Sequence, residues 1–212
     1  AIGKELESRV SGLNQAIRNT NDGISIIQIA EGALDEATTL LQRMRDLAVQ
    51  GSNDSLSTDE RAYLETESDN LIAAFDDLAT AAKWNGATVF GVTFVIQTGA
   101  DATDEVTVAI GAATADHFLD AVNADTDVLL NGTQAQAQAS ITNIDAALKD
   151  VAADRAGLGA LQSQLESTVR NLANVAENTA AAAGRIMDTD YAAETANLTK
   201  AQILQQAATS IL

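Results

Sequence analysis

The feature that most constrains this chain is an absence: none of its 212 residues is proline. At the usual frequency near 5%, about ten would be expected. Proline breaks helix interiors because its ring removes a backbone donor and clashes with the preceding turn. Aromatic residues make up only 3% of the chain, so a thick globular core is not expected. The sequence therefore predicts long, uninterrupted helices that pack on one another through Ala, Leu, Ile and Val.

The first segment, from Ala1 to Gln50, repeats its apolar residues in alternating steps of three and four. Sustained heptad spacing of this kind predicts one long helical rod. The apolar positions are Ile2, Leu6, Leu13, Ile17, Ile24, Ile27, Leu34, Leu41 and Ala48, with polar gaps at Arg9, Thr20, Glu31, Thr38 and Arg45. A break between Thr20 and Gly23 is the alternative. Glycine costs about 1 kcal/mol in a helix interior, so close neighbours are expected at Gly12, Gly23 and Gly32.

A turn and a second helix follow. The turn "GSNDSLS" ends at Ser57, which forms an S-x-x-E capping box with Glu60 and opens a helix to about Lys83. The inner face of this helix is Leu64, Leu71, Phe75, Leu78 and Ala82, and Asn85-Gly86 ends it.

The middle of the chain changes to period two. Phe94 and Ile96, then Val106, Val108 and Ile110, flank a Gly- and Asp-rich link, which predicts a β-hairpin. Beyond it, up to about Gln138, the pattern is weak and polar. It indicates short strands, a helical turn around His117 to Val122, and loop.

A third long helix is predicted from about Ala139. Its stripe is Ile141, Ile144, Leu148, Val151, Leu158, Leu165, Val169, Leu172, Ala176, Ala183 and Ile186, interrupted by Arg155 and Gln162. Asp188 and Thr189 are possible caps for a further helix, Tyr191 to Leu212. The predicted fold is mainly α, an elongated antiparallel helical rod or coiled-coil bundle with a small β-hairpin region. Its predicted parts are residues 1–87 (rod and second helix), 88–138 (hairpin and variable insert) and 139–212 (C-terminal rod).

Charge and residue usage exclude several functions. A formal net charge of −18 argues against nucleic acid and against anionic membrane surfaces. The chain has no cysteine and one histidine, His117, so thiolate and multi-histidine metal sites are excluded. The carboxylates of Asp101 to Glu105 lack the spacing of a calcium loop and indicate a solvated turn. Neither catalysis nor a cofactor is expected.

Two stretches resemble the bacterial flagellins. "RNTNDGISIIQIAEGALDEATTLLQRMRDLAVQ" (Arg18 to Gln50) is similar to their N-terminal rod, and "RIMDTDYAAETANLTKAQILQQAATSIL" (Arg185 to Leu212) to their C-terminal signature. The hairpin Phe94 to Ile110 matches the β element between the rods. The resemblance implies a secreted, extracellular subunit of the flagellar filament. Its implied partners are other flagellin subunits, an export chaperone and the filament cap. By the same resemblance, helices beyond both ends form an inner tube, so the chain is expected to be a core fragment that is monomeric by itself.

The resemblance also implies recognition by Toll-like receptor 5, the animal innate receptor for flagellin. The implied contact residues are Gln42, Arg43, Leu47 and Gln50 on the first rod and Glu67 on the second helix. Independently of the resemblance, steps of three and four place Arg43, Leu47 and Gln50 on one helix face. An arginine beside an apolar residue suits a binding hot spot. The alternative is that this face serves subunit packing.

Two other functions stay open on the sequence. One is a flagellin-like junction protein between hook and filament, and the other is a cell-surface relative that captures an external ligand. The segments "AQILQQA" and "NDGISI" favour a true flagellin.

Overall fold

The structure is a computed structural model that describes residues 2–111, Leu130 and residues 132–211. For residues 188–193 and 208–211 the description covers the backbone alone. Three helices lie in this part of the chain: α1 (Ile2–Gly51), α2 (Thr58–Ala81) and α3 (Gln134–Ile211). Between α2 and α3 are four short strands, β1 (Lys83–Trp84), β2 (Ala87–Thr88), β3 (Val92–Gln97) and β4 (Glu105–Ile110).

The first helix is continuous, so the alternative of a break between Thr20 and Gly23 is not realised. Thr20 is fully buried, and its hydroxyl donates to the carbonyl of Ala16 at 2.7 Å, which satisfies a polar group inside the apolar stripe. A Cβ on Gly23 would lie 3.1 Å from Cγ1 of Ile96, so close packing explains this glycine. Gly32 has no such neighbour among the residues that the structure describes, because a Cβ there would meet none of their atoms within 4 Å.

The second helix begins as predicted. Glu60 N donates to the Ser57 hydroxyl, and the Glu60 carboxylate accepts from Ser57 N at 2.8 Å, so the capping box is complete. The helix ends at Ala81, slightly earlier than expected. Asn85 and Gly86 both have positive φ and form the turn between β1 and β2. This two-stranded ribbon pairs Lys83 with Thr88 and was not anticipated from the sequence.

The predicted hairpin is present as β3 and β4, which pair in a separate two-stranded antiparallel sheet. The helical turn predicted around His117 to Val122 lies outside the described residues. The polar segment expected to last until Gln138 ends earlier, because α3 begins at Gln134. Thr133 and Gln136 form an overlooked cap there: Thr133 N donates to the Gln136 side chain at 2.7 Å.

The third helix also corrects a prediction. Asp188 and Thr189 were expected to cap a separate helix from Tyr191, but α3 runs without interruption from Gln134 to Ile211. The segment Met187 to Ala193 contains neither glycine nor proline. Asp and Thr are weak helix formers, but the free energy that each costs in a helix interior is well below that of proline. The helix therefore continues through them.

The chain divides into two compact units. One comprises residues up to Thr20, Gln97–Glu105 and Ser167–Leu212, and the other comprises Asn21–Ile96 and Val106–Glu166. The core of the second unit draws on all three helices and the hairpin; its buried members include Ile27, Leu34, Leu41, Met44, Phe75, Val108, Ile144, Leu158 and Leu165. The first unit has a smaller cluster formed by Leu13, Ala16, Leu172 and Ala176. The mainly α fold with a small β region is therefore confirmed.

Candidate interaction surfaces

The corner between α1 and α2 is held by a buried arginine. Arg61, in the first turn of α2, is only 6% exposed and donates to the carbonyls of Gly51 and, at 2.8 Å, Asn53. Carbonyls at the end of a helix have no partner within the helix. The guanidinium therefore supplies hydrogen bonds to carbonyls at the end of α1, and it holds the first turn of α2 beside them.

An ion pair joins α1 and α2 on one side of their seam. Arg43 Nε lies 2.9 Å from Oε1 of Glu67, and the two side chains are 53% and 44% exposed. The structure therefore brings together two of the residues that the resemblance singled out. At this exposure the ion pair contributes little to stability, but both of its charged side chains are accessible to a partner.

Leu47 does not share that surface. It is 1% exposed and belongs to the core of the second unit, whereas Gln42, Arg43 and Gln50 are exposed. The helical spacing of Arg43, Leu47 and Gln50 is as expected. The expectation that Leu47 presents an apolar surface beside Arg43 is corrected, because the packing of α2 and α3 on α1 covers this position.

Two further ion pairs join α1 to α3. Arg45 Nε lies 2.6 Å from Asp145, and Asp35 lies 3.0 Å from Arg155. As α1 advances from residue 35 to 45, its partner on α3 retreats from 155 to 145, so the two helices are antiparallel. The hydrogen bond from Arg45 is the main reason that the pKa of Asp145 is lowered, and the same bond raises the pKa of Arg45.

The charge of the chain is unevenly divided between the units. The second unit contains 21 acidic and 6 basic residues, a net charge of −15, and the first contains 9 acidic and 6 basic residues, a net charge of −3. In the second unit, Arg43, Arg45 and Arg155 are paired with carboxylates and Arg61 is buried. Only Lys83 and Lys149 are then left to offset the acidic surface.

Towards its last turns, α3 has an apolar face that no other described residue covers. Every residue from 194 to 207 is exposed. The large apolar side chains among them are Leu198, Ile203 and Leu204, which are 55%, 59% and 61% exposed. Ile203, Leu204 and Ala207 share one side of the helix by their spacing. A stripe of this kind is typical of a helix that packs against a neighbour.

The turn at the tip of the hairpin is held by its own hydrogen bonds. Thr98 N donates to the carbonyl of Asp104 at 2.8 Å, and the Asp104 carboxylate accepts from Asp101 N. A cleft of about 390 Å³ lies between this tip and Leu13 and Leu172. No group of three or more His, Cys, Asp or Glu within the described part of the chain could hold a metal ion. None of its helices is long and apolar enough to cross a membrane.

The second unit is built from antiparallel helices, and in the first unit α3 exposes an apolar stripe. Each of these features is typical of a helical protein that packs against others. Comparison with known proteins identifies the family. The bacterial flagellin N-terminal helical region matches residues 1–94, and the bacterial flagellin C-terminal helical region matches residues 141–212. The chain belongs to the bacterial flagellins and is a structural subunit of the flagellar filament.

Individual relatives agree. A flagellin of Halalkalibacterium halodurans is 37% identical over the whole chain, which covers 78% of that protein. The flagellar filament 31.3 kDa core protein of Treponema maltophilum is also 37% identical over the whole chain, with 79% of that protein covered. The crystal structure of Bacillus cereus flagellin is similar over 78% of this chain and 94% of that one, with 28% identity and a TM-score of 0.63.

The pairing of these charged side chains does not follow from the sequence patterns. In the sequence, Arg43 and Glu67 are separate positions, and Arg45 and Arg155 are interruptions of apolar stripes. The available signal was the antiparallel arrangement itself. In an antiparallel pair, an arginine at a stripe position can form an ion pair with a carboxylate at the matching level of the neighbouring helix, as Arg45 and Arg155 do.

Proposed function

We propose that the chain is exported and polymerises outside the cell by burying the apolar face of α3 formed by Ile203, Leu204 and Ala207 against neighbouring subunits. An export chaperone would cover the same kind of surface before assembly, and the filament cap would guide each subunit to its place. The role is mechanical and needs no catalytic step.

The observation that carries this proposal is the exposure of every residue from 194 to 207. An isolated helix in water gains little from its own hydrogen bonds, and most helical stability in proteins comes from packing an apolar face. Burying one large aliphatic side chain contributes about 1.5–3 kcal/mol. Repeated contacts between unlike surfaces of identical subunits generate open helical polymers.

The test expresses variants from the full flagellin gene in a strain whose own flagellin genes are deleted. Ile203→Ser with Leu204→Ser removes the apolar face, and Asn197→Ser with Lys200→Ser is the matched control at exposed polar positions of the same helix. We expect filaments in electron micrographs and swimming for the control only. Filaments of normal length from the apolar-face variant would refute this mode of assembly.

We further propose that the surface of Arg43, Gln50 and Glu67, with Gln42 at its margin, is recognised by Toll-like receptor 5. Support comes from the ion pair between Arg43 and Glu67, which presents a fixed and accessible guanidinium. Arginine is enriched among residues that dominate binding energy at interfaces. Leu47 would contribute by packing beneath this surface, not by direct contact.

A receptor reporter assay on purified protein tests this recognition. Arg43→Ala and Glu67→Ala should each raise the concentration for half-maximal signalling at least about tenfold, as for a hot-spot residue. Arg155→Ala is the matched control, because Arg155 also forms a half-exposed ion pair between helices, but with Asp35. Equal potency of all three variants and the unchanged protein would contradict the proposal. Leu47→Ala should act through lost stability, visible as a lower midpoint of unfolding.

A further inference from the structure

Tyr63 is the most exposed large apolar side chain that the structure describes. Its side chain is 73% exposed, and it lies on α2 four residues before Glu67, which places both on one side of the helix. The other aromatic residue of α2, Phe75, is 1% exposed. An aromatic side chain this exposed is not needed for the core.

The ion pair between Arg43 and Glu67 fixes where Tyr63 lies relative to α1. The two helices are joined by the turn from Ser52 to Ser57 and run antiparallel. Four residues back along α2 from Glu67 therefore correspond to four residues forward along α1 from Arg43. Tyr63 is thus level with Leu47 and lies on the same side of the seam as Arg43 and Gln50.

Because Leu47 is buried, the surface around Arg43 lacks the apolar contact expected there. Tyr63 supplies one. Tyrosine offers a large and rigid contact area at a low cost in conformational entropy, and its hydroxyl can form a hydrogen bond at the edge of an interface. Tyrosine and arginine are both enriched among the residues that dominate binding.

We infer that Tyr63 is the aromatic anchor of the receptor-binding surface, and that it inserts its ring into an apolar recess of the receptor beside groups that engage Arg43 and Glu67. This inference rests on the receptor recognition proposed above and names the contact that determines its affinity. The recess would be lined by apolar side chains and carry a hydrogen-bond acceptor for the phenol.

The experiment measures receptor signalling and direct binding by purified monomer for the unchanged protein, Tyr63→Ala, Tyr63→Phe and Val95→Ala. Val95 is 56% exposed on β3 and is the control for removing an exposed apolar side chain. We expect Tyr63→Ala to weaken binding at least about tenfold. Tyr63→Phe should weaken it by less than about fivefold, since it keeps the ring, and Val95→Ala should have no effect. Circular dichroism checks that each variant is folded to the same extent.

The outcomes separate this inference from the proposal beneath it. If the unchanged protein does not bind the receptor, both are overturned. If Arg43→Ala loses binding but Tyr63→Ala stays within about twofold of the unchanged protein, only the role of Tyr63 is overturned. Filament formation by Tyr63→Ala is measured in parallel. Loss of filaments with full receptor binding would assign Tyr63 to subunit packing and overturn the inference.

Discussion

The buried hydroxyl of Ser68 gives the sharpest prediction about stability. Ser68 lies on the inner face of α2 with no exposed surface, and its Oγ has no hydrogen-bond partner within the described part of the chain. A buried polar group without a partner costs about 1–3 kcal/mol. Serine is also a poorer helix former than alanine, by a few tenths of a kcal/mol. Ser68→Ala removes both costs and leaves a side chain of almost the same volume. It should raise the free energy of unfolding by about 1–3 kcal/mol.

Ser140 provides the matched control. It is equally buried, on α3, but its hydroxyl donates to the carbonyl of Gln136 at 3.0 Å. Ser140→Ala loses a satisfied hydrogen bond of about 1 kcal/mol and gains helix propensity, so the net change should be small or unfavourable. Urea unfolding followed by circular dichroism at 222 nm measures both variants. If Ser68→Ala is no more stable than the unchanged protein, or if both variants change equally, the cost assigned to the unpaired hydroxyl is wrong.

Three shorter predictions concern the same units. Gly32→Ala should raise the free energy of unfolding by about 1 kcal/mol, because the new Cβ meets no atom of the described residues within 4 Å. Gly23→Ala should raise it less, since its Cβ would crowd Ile96. Arg45 lowers the pKa of Asp145 in the folded state. As the pH falls, Asp145 is therefore protonated in the unfolded state at a higher pH than in the folded state. Asp145→Asn should therefore lower the free energy of unfolding by its full amount above the usual pKa near 3.8. The difference between the variant and the unchanged protein should disappear as the pH falls through the folded pKa, as measured by urea unfolding at several pH values. The net charge of −15 on the second unit should make its unfolding midpoint rise with added NaCl, which screens the repulsion.

Much of the fold could be predicted because its helices satisfy simple local rules. The heptad stripe of α1, the capping box at Ser57 and the period-two strands each correspond to an element in the structure. The errors fell where local signals were weak or had two readings. Asp188 and Thr189 are residue types that cap helices, but they do so only where the preceding helix ends, and the segment Met187 to Ala193 contains neither glycine nor proline to end it. Thr133 and Gln136 formed a cap with glutamine in the place of glutamate, inside a stretch assigned to loop.

The candidate surface was harder to predict because exposure depends on how many neighbours a helix has. A heptad stripe identifies the face that packs, but its width depends on the partners. With one neighbour, Leu47 would lie at the edge of the seam beside Arg43. Both α2 and α3 contribute to the core around α1, so this position is covered. The residues that stay accessible include Arg43 and Glu67, which form an ion pair across the seam, and Tyr63, which is 73% exposed.

The burial of Leu47 changes what a loss of signalling means. A Leu→Ala change in a core typically costs 2–5 kcal/mol because it leaves a cavity. In a flagellin of ordinary stability this is a large share of the total, so Leu47→Ala would reduce the folded fraction before it altered any contact with a receptor. Arg43→Ala and Tyr63→Ala remove exposed side chains and should leave the unfolding midpoint nearly unchanged. A drop in potency without a drop in stability therefore identifies direct contact, and only the exposed positions can produce it.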